Sequence, residues 1–138
     1  MLKVTMFFWL FCLSVCHGYR LLGIFPFHGK SHFVMPEALM KGLAKKGHQV
    51  DVISTFPLKK PYPNYNDVVK LKAPMALVNN ISYEFAQLLF RTGLTFSVAT
   101  IAGNDACKVH LGNPAVKELA RNPPKNPPYD AVLMEVRK

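Results

Sequence analysis

Apolar and polar positions fall along the chain in blocks of different period. Leu21–Phe25 is a short, unbroken apolar run, which suits a strand buried on both faces. His28-Gly29-Lys30-Ser31 interrupts it as a loop. Pro36, Leu39, Met40, Leu43 and Ala44 then recur at i, i+3, i+4, i+7 and i+8, the pattern of an amphipathic helix. Glu37, Lys41 and Lys45 take its wet face. Proline is tolerated in a first turn and not deep in a helix, so the helix starts near Pro36 or starts at Ser31 and kinks. Gly47 stops it, with Lys45 and Lys46 in the last turn, where cations suit the helix dipole. Gln49–Ser54 reads as the next strand, completing a βαβ unit and a parallel sheet with flanking helices.

Phe56–Asn66 is rich in Pro and Tyr and reads as loop, and Val68–Leu71 as a short third strand. Ile81–Ala102 is long and apolar and predicts one or two helices, buried in a core or lying against a membrane surface, with burial the favoured reading. Its uncharged part, Thr92–Asn104, is too short to span a bilayer, which takes about 20 residues. Asn113-Pro114 opens a further helix through Arg121. The proline-rich stretch 122–128 is a rigid loop, and Ala131–Val136 a last strand. A parallel strand normally feeds a covering helix. None follows, so a partial, incomplete domain of a longer protein is expected.

The first residues change the picture of where the chain works. Lys3 is followed by an apolar run from Met6 to Val15, and Cys16 and Gly18 are small residues suited to a cleavage site. This predicts a secretory signal peptide over residues 1–18, the alternative being an uncleaved anchor. Cys12 and Cys16 leave with it. Cys107 then stands alone, which excludes an internal disulfide and a multi-cysteine metal site. Asn80-Ile81-Ser82 is an N-glycosylation sequon, meaningful in a lumenal chain. The net charge of +9 comes from 17 Lys+Arg against 8 Asp+Glu. The lysines are scattered and no RNA-binding or zinc-finger motif is present, so no nucleic-acid partner is expected.

Few residues carry candidate chemistry. No GxGxxG follows the first strand and no phosphate-binding P-loop is present. His28 and His32 have helical metal-ligand spacing, but Gly29 and Pro36 disfavour a helix there, and no metal site is expected. His32 lies just after the first strand and Glu135 at the end of the last. In parallel α/β sheets ligands bind at the carboxyl ends of the strands. There a carboxylate could orient a neutral imidazole as general base. The alternative is structural: His32 merely opens a helix and Glu135 is a charge near a strand end.

The segment Ser31–Ser54, SHFVMPEALMKGLAKKGHQVDVIS, resembles the N-terminal domain of UDP-glycosyltransferases, in particular insect members of the UDP-glucuronosyltransferase family. The marks are a Ser-His at a helix start, a Leu-rich helix, and Lys-Gly-His before a strand, with His48 sixteen positions after His32. Phe25-Pro26, Cys107, Asn113-Pro114 and Tyr129-Asp130-Ala-Val-Leu match in order. The resemblance implies a GT-B fold of two Rossmann-like domains, of which this chain is the acceptor-binding half. It implies no cofactor and no metal, with a UDP-sugar as co-substrate bound mainly by a C-terminal domain. It implies that His32 deprotonates a small lipophilic acceptor, whose oxygen attacks the sugar with inversion. Counting five positions from Asp130 reaches Glu135, where the family has an aspartate that orients the histidine. Ser31 and, from their apolarity, Phe27, Phe33 and the Ile81–Ala102 segment are the expected acceptor-binding residues, with core packing the favoured alternative for any one of the apolar ones. The expected place is the endoplasmic reticulum lumen, with the membrane surface possible.

Two functional readings follow. In the first, the chain is part of a UDP-glycosyltransferase and has little or no transfer activity alone. In the second, it is a non-catalytic lumenal binding module that carries a hydrophobic ligand or pairs with a full-length transferase.

Overall fold

The computed structural model describes residues 18–71 and 82–135. Residues 1–17 of the expected signal peptide, and Asn80, fall outside them. The elements run β1 (Arg20–Phe25), α1 (Lys30–Lys45), β2 (Gln49–Ser54), β3 (Tyr65–Lys70), α2 (Tyr83–Thr92), α3 (Leu94–Gly112), α4 (Pro114–Arg121) and β4 (Ala131–Met134). Among the described residues the four strands form one parallel sheet in the order β3-β2-β1-β4. With helices against its faces, this is a Rossmann-like α/β arrangement, as expected from the sequence.

Strand alternation explains both core layers. Leu21, Phe25, Val50 and Val52 meet the buried side of α1, formed by Phe33, Met40 and Ala44. Leu22, Ile53, Val69 and Leu71 face the other way, against Val116 and Leu119 of α4 and Tyr129. Gly23 sits on the α1 side of β1, where a Cβ would lie 2.7 Å from the Met40 side chain. The missing side chain makes the room that Met40, fully buried, occupies.

The helix α1 takes the longer of its two expected courses. It begins at Lys30 with Gly29 as N-cap, and Pro36 lies inside it. Proline gives no N–H to the His32 carbonyl one turn back. Its ring is buried instead, in the stripe Phe33, Pro36, Met40, Ala44. Leu39, expected on the apolar face, is half exposed at 50%. The stop is as read: Gly47 has φ 91°, the left-handed conformation that suits glycine at a helix C-terminus.

The third strand starts at Tyr65, three residues earlier than its apolar pattern indicates. The register between β2 and β3 shifts after Val52: Asp67 pairs with Val52 and Val69 with Ile53. Val68 is the extra residue, a bulge. Tyr65 and Val69, four apart, therefore face opposite core layers. A strict period of two cannot see such a strand.

The largest correction concerns the apolar segment after residue 81. It forms two helices, but α2 buries no residue. Tyr83, Phe85, Leu88, Phe90, Leu94 and Phe96 are all exposed. The hairpin of α2 and α3 packs on itself and on α4 instead of against the sheet. Among the described residues no helix is long and apolar enough to cross a membrane. The strand β4 is also more exposed than a core strand: only Leu133 is half buried.

A polar cluster ties the sheet together where the sequence showed only a strand aspartate. Asp51 is 5% exposed. Its Oδ2 accepts from Arg20 Nε at 3.1 Å, Arg20 Nη2 at 2.8 Å and the Tyr129 hydroxyl at 2.9 Å. Its Oδ1 accepts from Asn66 Nδ2 at 3.2 Å. The Arg20 guanidinium also lies 4.9 Å above the Tyr129 ring. One carboxylate thus connects β1, β2, β3 and the approach to β4.

Candidate functional site at the carboxyl edge of the sheet

Because all strands run the same way, β1, β2 and β4 end at one edge. The loop 26–29 leaves β1 there and enters α1. Thr55 Oγ1, just past β2, donates to the Phe27 carbonyl at 3.3 Å and ties the loop to its neighbour.

His32 is exposed in the first turn of α1. The Phe27 ring meets its imidazole edge-on, with centroids 4.8 Å apart. Ser31 Oγ lies 3.4 Å from His32 Nδ1, a long contact whose donor depends on the tautomer. Gly29 permits this arrangement. A Cβ on Gly29 would stand 2.5 Å from Phe27 Cε1 and 3.0 Å from His32 Nδ1. The sequence marked Gly29 only as a helix breaker, and close approach of two rings is a tertiary requirement.

Of the residues singled out from sequence, His32, Ser31 and Phe27 come together. Glu135 follows β4 at the same edge, and its N–H donates to the Ile24 carbonyl of β1 at 3.3 Å. Phe33 does not line the edge. It is 2% exposed and packs against Phe25 and Phe56 in the core. Its position one residue after His32 turns it by about 100° around α1, from the exposed side to the buried one.

Two further histidines stand at this edge: His28, weighed from the sequence only as a metal ligand, and His110, which the sequence reading did not single out. His28 stacks on Phe27, with ring planes 12° apart. His110, from α3, meets His28 in a T-shaped contact at 5.6 Å. Both are buried. His110 is held below its ordinary protonation range: burial is the main cause, the neighbouring His28 adds to it, and a hydrogen bond with the Pro26 backbone opposes it. Nothing in the spacing of residues 28 and 110 announces this pairing. His28 and His32 share no helical face, since His28 precedes α1. Among the described residues no group of three or more His, Cys, Asp or Glu side chains is placed to hold a metal ion.

The parallel sheet with helices against its faces is an α/β domain of Rossmann-like type, a class whose ligands bind at the carboxyl ends of the strands. No family model matches the chain. No solved structure matches it either. Curated proteins do. A protein named UDP-glucosyltransferase 2, from Dactylopius coccus, is 32% identical over 108 residues, covering 78% of this chain and 21% of the relative. UDP-glycosyltransferase UGT5, from the same organism, is 41% identical over 56 residues, covering 41% of this chain and 11% of the relative. The chain thus spans about a fifth of the first relative's length and about a tenth of the second's. Over the matched residues the chain is similar to these UDP-glycosyltransferases, and the matches support reading it as an N-terminal part of such a protein.

Proposed function

We propose that this chain supplies the acceptor side of an inverting glycosyl transfer from a UDP-sugar, with His32 as general base. The observation that carries the reading is the place of His32: exposed, in the first turn of α1, at the edge where parallel sheets bind ligands. The neutral ring takes the acceptor hydroxyl proton. The oxygen forms its bond to the anomeric carbon from the face opposite UDP, the bond to UDP breaks, and UDP leaves with the electron pair. Phe27 forms an apolar wall beside the base, suited to a lipophilic acceptor. Glu135 orients His32 and stabilises the imidazolium. One relative's name specifies glucosyl transfer, which favours UDP-glucose as the donor. The donor is bound largely by parts of the family's proteins that this chain does not match, so the chain alone transfers little or no sugar. The work is done in the secretory lumen, after removal of residues 1–18.

The test is sugar transfer to a small lipophilic phenol by a transferase that carries this segment, compared with His32→Ala. The expected loss in kcat is about 10²–10⁴-fold, the usual contribution of a general base. Unchanged kcat with His32→Ala overturns the reading. Glu135→Gln is expected to lower kcat and displace the pH profile, with KM little changed.

A further inference from the structure

His28 and His110 take no part in that chemistry, yet they are the most deeply buried ionisable rings of the edge, 8% and 4% exposed. His28 Nδ1 and His110 Nε2 are buried without a hydrogen-bond partner. A buried polar atom left unpaired is costly, so the arrangement calls for a reason. The helix α3 provides the context. Among the described side chains of α2 and α3, only Ala106 and His110 are buried. They lie four residues apart, hence on one helix face. The face that seats α3 on the rest of the molecule therefore has a histidine at its centre, and the ring across from it is a second histidine.

We infer that the His28–His110 contact is a pH-sensitive latch: it holds α3 against the loop 26–29 while the His110 ring is neutral, and lets go when that buried ring gains a proton. A cation there would be shut off from water and pressed against another imidazole. No acid offsets it. Among the described side chains, the charged residues on the helices packed against α3 are Glu84 and Arg91 on α2 and Lys117, Glu118 and Arg121 on α4, all exposed, and on α3 itself Lys108 is exposed. None of them acts on His110; His28 and the Pro26 backbone do. On the loop side, the other nearby titratable ring is His32, separated from His28 by Phe27.

The sign follows from the lowered protonation range of His110. A released ring binds protons more readily than a docked one. Docking is therefore fully supported above the ordinary value of 6.5 and is lost as pH falls below it toward the lowered value. Release of α3 would uncover His28, and with it the stacked Phe27 ring that forms one wall beside His32. The latch does not depend on the transferase reading, since its test reads structure alone.

The test is amide hydrogen exchange of the full chain between about pH 7.5 and about pH 5, with β2 amides as the internal reference for the intrinsic pH effect. The expected result is a selective loss of protection in α3 below pH 6.5, by up to roughly tenfold per pH unit, the limit for one proton. His110→Leu should flatten that dependence and leave α3 protected at low pH, and His28→Leu, which keeps His110 buried, should only weaken it. Equal relative protection of α3 at both ends of the range overturns the inference. So does a pH dependence that survives in His110→Leu. Should the variants fail to fold, the imidazole resonance of His110 in the unmodified chain decides: a titration midpoint at or above 6.5 overturns the latch, and a lower midpoint that tracks α3 release supports it.

Discussion

The hydroxyl of Tyr129 donates to Asp51 Oδ2 across 2.9 Å, joining residues 78 positions apart in the chain. The same oxygen holds both Arg20 nitrogens, so the carboxylate is paired and hydrogen-bonded as a buried charge must be. The cluster anchors the residues leading into β4 to the middle of the sheet. Asp130 adds to this: its backbone N–H donates to the Arg20 carbonyl at 2.8 Å, and its Oδ2 accepts from the Arg20 N–H at 2.7 Å.

Removing that carboxylate should be costly. Asp51→Ala leaves Arg20 without its partner near a buried site. Breaking a fully buried pair costs about 3–5 kcal/mol. The Arg20 side chain keeps 19% exposure, so water recovers part of it and roughly 2–4 kcal/mol is expected. Urea denaturation of the full chain measures it, and a loss below about 1 kcal/mol would show that the cluster is not a structural tie.

Tyr129 gives that cluster a pH dependence. Burial, then the hydrogen bond to and charge of Asp51, push its phenol up to about 12. A raised value means the folded state holds the proton more tightly than the unfolded one. The stabilisation is complete below the ordinary value of 10.0 and disappears as pH rises toward about 12. Tyr129→Phe should therefore show a shallower loss of stability over that window than the unmodified chain. Identical slopes would contradict the assignment.

Gly29→Ala tests the geometry of the edge. The new methyl would sit 2.5 Å from Phe27 Cε1, so the ring must move away from His32. Overpacking of this kind typically costs about 1–3 kcal/mol. The specific readout is the His32 imidazole resonance, which should shift as Phe27 withdraws. A variant with native stability and an unmoved His32 resonance would mean that the contact is loose.

The exposed apolar faces of α2 and α3 predict self-association. Phe90 and Phe96 are 76% and 77% exposed, with Leu88 and Leu94 nearby in sequence and also exposed. Apolar patches of this kind drive contact between molecules. The chain is expected to elute as an oligomer or aggregate in sizing chromatography, and Phe90→Asp with Phe96→Asp to shift it toward monomer. A monodisperse monomer at high concentration would refute this.

The elements that depend on local pattern were legible in the sequence. The apolar run of β1, the helix that Gly47 ends, the strand Gln49–Ser54 and the Asn113 cap of α4, whose side chain accepts from the Ala115 N–H, all rest on neighbours within a few residues. The parallel sense of β1 and β2 was legible too, because a βαβ connection permits little else, whereas the order of the strands was not. The position of His32 one loop after β1 followed from the same pattern.

What only the tertiary structure decided depends on residues far apart. Apolar composition does not say which surface is available to cover it, so Ile81–Ala102 could read as core while its described side chains lie largely exposed. A bulge at Val68 erased the alternation that would have marked the start of β3. Phe33 went to the core and Phe27 to the edge, though both are phenylalanines near His32. Asp51 with Arg20 and Tyr129, and His28 with His110, are pairings across the fold that chain spacing cannot encode, because only folding sets the burial and distance that give those side chains their chemistry.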